Sequence, residues 1–284
     1  MMDTGSRFRM SRQAIFLAAL ALGCAASGPV LAGGSLEARY TVNFTGVPIG
    51  QGALVIEIND AGYAASGSAM VAGLLQLVHP GKGSAAARGQ FIGGKVAPVS
   101  YSGNSESTDR SQEVRLSGAG GAITDIVISP QRPRRDRVPV LDEHRKGVVD
   151  PMSALIMPVA GNGDLTGPDA CNRTLPIFDG EERYDLVLHY ERSEGVNDVK
   201  GYTGPLAVCR VEYRAVAGHR PNRKQTKELS ENKNIFVWLA PVTGTRVVVP
   251  LRVSFGSKIG VFVMQATHFR TEAKPSAAAS PATR

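Results

Sequence analysis

The chain has 284 residues, 20% of them charged, and its 32 Lys and Arg against 25 Asp and Glu give a formal charge of +7. That is a mild basic excess with no basic helix or aromatic-interleaved patch, which excludes a dedicated nucleic-acid binder. The length allows one large domain or two small ones, and no long flexible linker separates residues 35 and 270, so a single β-rich domain over 33–270 is expected.

The amino end has the order of an export signal. Arg7, Arg9 and Arg12 precede an uncharged apolar run from Ala14 to Gly23, and Gly28-Pro29-Val30-Leu31-Ala32 supplies small or aliphatic residues before a cut after Ala32. The apolar run is about half the length of a membrane span, so residues 1–32 are expected to be a cleaved leader and the mature domain periplasmic, with no transmembrane span. Ala21-Leu22-Gly23-Cys24 offers an alternative, a lipoprotein anchored through Cys24, although Ala stands where that motif carries a larger aliphatic residue. Cleavage after Ala32 would discard Cys24 and leave a formal +5. It would also leave two cysteines, Cys171 and Cys209, an even pair that an oxidising compartment converts to a disulfide. Closing a loop of roughly 39 residues is worth about 4 kcal/mol in the chain-entropy account. Metal ligation and a catalytic thiol are the other uses of such a pair, but there is no Cys-x-x-Cys and no histidine at ligand spacing.

Period-two alternation dominates the rest. Tyr40, Val42 and Phe44 share one face of a strand, Leu54, Ile56 and Ile58 one face of the next, and Thr45 to Gly50 reads as the turn between them. Ser68 to Val78 is ambiguous between a short helix and a buried strand. Strands are predicted over Lys95–Tyr101, Ser111–Leu116 and Ile123–Ile128, and then a helical turn follows Asp150-Pro151, with Asp150 as the cap and Met152, Leu155 and Ile156 on one face. Arg183–Glu191 and Ala207–Ala215 alternate cleanly, the second placing Cys209 with its apolar set. Ile235–Ala240, Thr245–Ser254 and Gly260–Arg270 complete the strands, and residues 271–284, with no bulky apolar side chain, are expected to be a disordered tail. Many short strands without long helices predict an all-β, mainly antiparallel fold, a barrel or sandwich.

Chemistry is sparse. His79, His144, His189, His219 and His268 lie far apart in sequence and make no metal motif, so no metal and no cofactor are expected. Gly81-Lys82-Gly83-Ser84 resembles a phosphate-loop fragment, but Gln76 stands where the motif requires glycine, and no Gly-x-Ser-x-Gly elbow occurs. Arg132 to Arg137 is the densest charge run; Arg134 and Arg135 are the side chains in it that would grip a phosphate or lipid headgroup, against an ordinary solvated loop. Phe178-Asp179-Gly180 begins an acidic turn, where Asp179 serves the turn itself or an acid–base site, and Trp238, apolar on both sides in sequence, is core or pocket lining.

Several segments in this order resemble the uncharacterised envelope proteins of domain of unknown function 3108. They are the opening Tyr-x-Val strand pair, Asp150-Pro151-x-Ser153-Ala154, Phe178-Asp179-Gly180 with Arg183-Tyr184-Asp185, Gly204-Pro205 before Cys209, Gly218-His219-Arg220-Pro221, and Trp238-Leu239-Ala240-Pro241 followed by Val249-Pro250-Leu251-Arg252-Val253. The resemblance spans residues 38 to 270 and implies an exported β-rich domain without transferring an activity or catalytic residues. At the level of fold alone it is similar to the open half-barrels of periplasmic lipoprotein carriers, whose curved sheet wraps an apolar cavity. The expectation is therefore an open or half β-barrel-like curved sheet with one or two short helices. Its expected role is non-catalytic binding of a lipid, another hydrophobic ligand or a peptide, or envelope assembly. Two alternatives stand beside it: an envelope hydrolase whose site assembles from Asp150, Asp179, Asp185 and His219, and a scaffold for envelope protein partners that docks through a sheet edge or the arginine loop.

Overall fold

A computed structural model describes residues 33–73, 75–131 and 135–275; the predicted leader with Cys24, Arg132 to Arg134 and residues 276–284 lie outside the described residues. Seven strands come first: β1 (Gly33–Phe44), β2 (Val47–Asn59), β3 (Gly62–Val71), β4 (Gly81–Ile92), β5 (Lys95–Ser107), β6 (Arg110–Ala119) and β7 (Ala122–Ser129), with one helical turn, α1 (Leu75–Val78), between β3 and β4. A crossover then carries 3-10 turns over Asp142–Arg145 and Ser153–Leu155, the two-residue β8 (Met157–Pro158) and α2 (Pro168–Cys171). The second run is β9 (Arg173–Phe178), β10 (Arg183–Val199), β11 (Tyr202–Ala217), α3 (Lys224–Glu231), β12 (Ile235–Pro241), β13 (Val247–Ser257) and β14 (Gly260–Lys274).

Hairpin chemistry explains the first run. Thr45-Gly46, Gly93-Gly94 and Gly120-Gly121 all have positive φ at both positions, the backbone of a two-residue turn that matches strand twist. The turn predicted over Thr45–Gly50 is thus only two residues long. Pro48 is tolerated inside β2 because the register shifts between Val42 and Asn43, a bulge where a missing N–H costs no ladder bond.

All ladders between named strands are antiparallel. The sheet runs β7-β6-β5-β4-β3-β2-β1-β14-β13-β12-β11-β10-β9, with β8 added to β13, and it does not close, so β7 and β9 are its ends. The first and last strands therefore pair in the middle, from Gly33 opposite Lys274 to Phe44 opposite Phe262. This corrects the predicted tail: Glu272, Ala273 and Lys274 continue β14 against Ser35, Gly34 and Gly33. Ladder bonds use main-chain groups and need no bulky side chain.

Inward rows across the first half thin out along the strands. One row reads Leu36, Ile56, Ala65, Ala87, Tyr101, Leu116 and Ile126; the next reads Ala38, Leu54, Gly67, Ala85, Gly103, Val114 and Ile128; the third reads Tyr40, Gly52, Ala69, Gly83, Ser105 and Gln112. The first row is packed, whereas the third has almost no side chain between Tyr40 and Gln112. In the second half, alternate residues of one strand serve two different cores. Leu206 and Val208 join the cluster that holds Leu36 and Ile56, while Ala207, Cys209 and Val211 join another with Val237 and Leu239. Burial on both faces is why Ile235–Pro241 and Val247–Leu251 are almost continuously apolar. α3 escaped the sequence reading because Lys-Gln-Thr-Lys-Glu-Leu-Ser-Glu has a single large apolar residue and no side-chain cap, and none of its residues is buried.

Cys171 of α2 and Cys209 of β11 are disulfide-bonded, with Cα atoms 5.5 Å apart and both side chains fully buried. The bond ties α2 to the core around Val237 and Leu239. Replacing both cysteines by serine should lower the unfolding free energy by about 2–5 kcal/mol, read from urea titrations with and without reductant. Reductant should destabilise the parent protein and leave the double variant unmoved.

Candidate functional site

The crossover lies over the thinned part of the sheet, and Asp150 is what holds it there. Asp150 is fully buried. Its Oδ1 accepts from the N–H groups of Met152 and Ser153 at 3.0 and 2.8 Å, and its Oδ2 accepts from the Ser153 hydroxyl at 2.5 Å. The Ser153 oxygen in turn accepts from the Tyr63 hydroxyl of β3 at 2.7 Å. The predicted α-helical turn is instead a 3-10 turn over Ser153–Leu155: Asp150 bonds to the two nearest N–H groups, and the chain is drawn straight at once because Met157 and Pro158 pair with Val248 and Val247. Met152 and Leu155 then face the small residues of β3 and β4. A Cβ at Gly67 would lie 3.1 Å from the Met152 terminal methyl carbon.

Between that turn and the sheet lies an apolar cavity of about 340 Å³, within the range of small-molecule sites. Its floor includes Gly52, Gly67, Ala69, Gly83 and Ala85, and its walls Tyr40, Val42, Met152, Leu155, Pro250 and Met264. The Tyr40 hydroxyl is already used, donating to the Pro250 carbonyl at 2.8 Å. A second, more polar groove of about 880 Å³ involves the alternate residues of the same strands, among them Arg39, Gln51, Lys82, Asn104 and Glu106. Lys82 and Glu106 neutralise each other there at 2.9 Å.

The four polar residues singled out as an acid–base set are not joined: no hydrogen bond or ion pair among the described residues links any two of them. Asp179 builds the turn, its Oδ1 accepting from the N–H groups of Glu181 and Glu182 at 2.8 and 2.7 Å, and Gly180 supplies a φ of +101°. Asp185 pairs with Arg183 at 2.7 Å. His219 uses its carbonyl to accept from Val138 N at 2.9 Å, and its Nδ1 is buried without a partner. Burial pushes the Asp150 and Asp179 carboxyls above the usual carboxylate range, opposed by their hydrogen bonds, and Tyr101, within electrostatic reach of both, is pushed up to about 12 chiefly by its own burial. Among the described residues no three His, Cys, Asp or Glu side chains gather as a metal site.

Trp238 lines none of this cavity. It is buried, its indole N–H donates to Glu194, and the Arg252 guanidinium sits 4.6 Å above its ring. Arg135 is exposed, and Arg134 lies outside the described residues. What the sequence reading missed is Tyr63, the Ser153 hydroxyl and the row of small residues. The available signal was glycine at inward positions of successive strands, Gly52, Gly67, Gly83 and Gly103, since glycine inside a strand marks a place where something else approaches.

A family model described as a protein of unknown function (DUF3108) matches residues 39–267. No curated protein matches the chain. Among solved structures, a β-barrel-like protein of domain of unknown function DUF1849 from Brucella abortus aligns with a TM-score of 0.47 at 10% identity, over 86% of this chain and all of that one. A candidate lipoprotein from Parabacteroides distasonis aligns with a TM-score of 0.31 at 10% identity, over 84% of this chain and 95% of that one.

The raised carboxyl of Asp150 has a measurable consequence. The folded state holds that proton more tightly than the unfolded chain, so the stabilisation is complete below the unfolded carboxylate range near pH 4 and is lost as pH rises through the higher folded value. Asp150→Asn cannot titrate. The stability of the parent protein relative to this variant should therefore fall as pH is raised from about 4 towards neutrality, measured by urea unfolding across that range; a difference independent of pH would show that the carboxyl is not coupled to folding.

Proposed function

The chain belongs to the DUF3108 family, which carries no assigned activity, and from its geometry we propose a non-catalytic binding protein that holds a lipid or another hydrophobic ligand against the inner face of its sheet. The observation that carries this is the apolar cavity under Met152 and Leu155, left open because β2 presents Gly52 there and β3 and β4 present only Gly67, Ala69, Gly83 and Ala85. A ligand there would recover apolar burial that the sheet itself forgoes, worth about 25 cal/mol per Å² of surface covered. We further propose that the protein works in the periplasm after export. The leader pattern of residues 1–32 and a fully buried disulfide, which needs an oxidising compartment to form, both support that reading. Of the described residues, no helix is long and apolar enough to cross a membrane. The hydrolase alternative draws less support: Asp150 is engaged by two local N–H groups and the Ser153 hydroxyl, Asp179 Oδ1 by two local N–H groups, and Asp185 by Arg183.

Purified protein should carry lipid into organic extracts, identified by mass spectrometry, and should enhance the fluorescence of N-phenylnaphthylamine. The double variant Ala69→Leu with Ala85→Leu fills the floor of the cavity and should weaken probe binding by about tenfold or more while the fold is retained, the loss of a few kcal/mol of apolar contact. Unchanged probe binding in a folded variant, with no lipid enriched from the parent protein, would end this reading.

A further inference from the structure

The two ends of the sheet are treated differently. β9 is covered at its Pro176–Phe178 end, where Val149 lies parallel beside it, donating its N–H to the Pro176 carbonyl and accepting from Phe178 N, both at 2.9 Å. Pro176 also has no N–H to leave unpaired. At β7 the crossover reaches only the hairpin end, where Gly147 N donates to the Gly121 carbonyl at 2.8 Å and Lys146 bridges Ala122. Beyond that bridge, no main-chain hydrogen bond among the described residues reaches the outer edge of Ile123 to Ser129. The strand reads Ala-Ile-Thr-Asp-Ile-Val-Ile-Ser, with one charge, no lysine and no proline, so it lacks the usual devices that blunt a sheet edge.

A cavity of about 530 Å³ runs beside this edge, separate from the one under Met152. Ile126 and Ile128 of β7, Phe178 and Val140 line it, and its charged lining is Arg137 and Arg145 with Asp125 and Glu181. Both arginines have a buried Nε–H without an acceptor. Arg137 donates through a terminal nitrogen to the Gly218 carbonyl at 3.0 Å and approaches Glu181 and Glu182 at 3.6 Å, and Arg145 approaches Asp142 at 3.9 Å, longer than a charge-assisted hydrogen bond.

We propose that this slot is a strand-addition site, taking one extended, acidic segment of a partner polypeptide that pairs with the outer edge of β7. The free N–H and C=O groups of Ile123 to Ser129 supply a ladder roughly 20 Å long at about 3.3 Å per residue. Alternate apolar side chains of the added strand face Ile126 and Ile128, and its carboxylates supply acceptors for the Nε–H groups of Arg137 and Arg145. The site is independent of ligand binding under the 3-10 turn.

Fluorescence anisotropy tests it with a labelled octapeptide of alternating valine and threonine carrying two aspartates, against the same peptide with lysines and an acidic peptide N-methylated at alternate amides. The acidic peptide should bind saturably, the lysine peptide and the Arg145→Gln variant should each weaken binding by about tenfold or more, and the N-methylated peptide should not bind. Amide exchange should slow at Ile123 to Ser129 when the acidic peptide is present, and Ala69→Leu with Ala85→Leu should leave its binding unchanged. No anisotropy change with the acidic peptide, equal binding of its N-methylated form, or protection that appears elsewhere would overturn the proposal.

Discussion

A carboxylate taken out of water holds the crossover against the sheet. Asp150 loses its hydration on burial, and the loss is partly offset because both its oxygens find donors, two from the backbone of its own turn and one from the Ser153 hydroxyl. Ser153 passes the connection on to Tyr63, so a turn in the crossover is fastened to a strand some ninety residues earlier. Together with the Val149 bonds to β9 and the pairing of Met157 and Pro158 with β13, that tie keeps Met152 and Leu155 over Gly67 and Ala85. Pro151 reinforces the geometry, since it has no N–H to compete for the carboxylate.

The two halves of the sheet solve different problems. β1 to β6 bury one face and so alternate apolar with polar residues, but in the third inward row β2 to β5 present only Gly52, Ala69, Gly83 and Ser105. Leu206 to Cys209 of β11, β12 and Val247 to Leu251 of β13 bury both faces, which demands apolar residues at nearly every one of those positions. The disulfide and α2 belong to this second half. A doubly buried half thus stands beside a thinly lined one; the ladder that joins β1 to β14 shifts register at Arg39/Tyr40, and the β12–β13 ladder shifts at Trp238/Leu239.

Much of the fold was legible because period-two alternation is a local signal. Leu54-Val-Ile-Glu-Ile58 and Ala207 to Ala215 show their faces in the sequence alone, and so does the inward aspect of Cys209. β4 was not legible: Gly81-Lys-Gly-Ser-Ala-Ala-Ala carries little β preference, and its strand character comes from the partners on either side. The site was less legible than the fold. Asp150 was noticed as a cap, but its bond through Ser153 to Tyr63 depends on how a crossover folds back over a sheet, which no spacing encodes. Acidic residues that suggested catalysis turn out to be engaged with neighbours two or three positions away. The cavity is defined by side chains that are missing, and absence at separate inward positions becomes a pattern only once the register of the strands is known.

The pairing of β1 with β14 has a consequence for the order in which the molecule can be completed. Strands β1 to β7 can zip up by successive hairpins as soon as they leave the ribosome or a membrane pore, and so can β9 to β13, but the seam between the two runs needs the last strand of the domain. Until Gly260 to Lys274 arrives, the inner flank of β1 and most of that of β13 lie bare, two sticky borders in a chain of mostly non-local contacts. Assembly therefore ends at the centre of the sheet and not at its rim, and during that interval the unfinished protein has most to gain from a holding factor that masks strand borders.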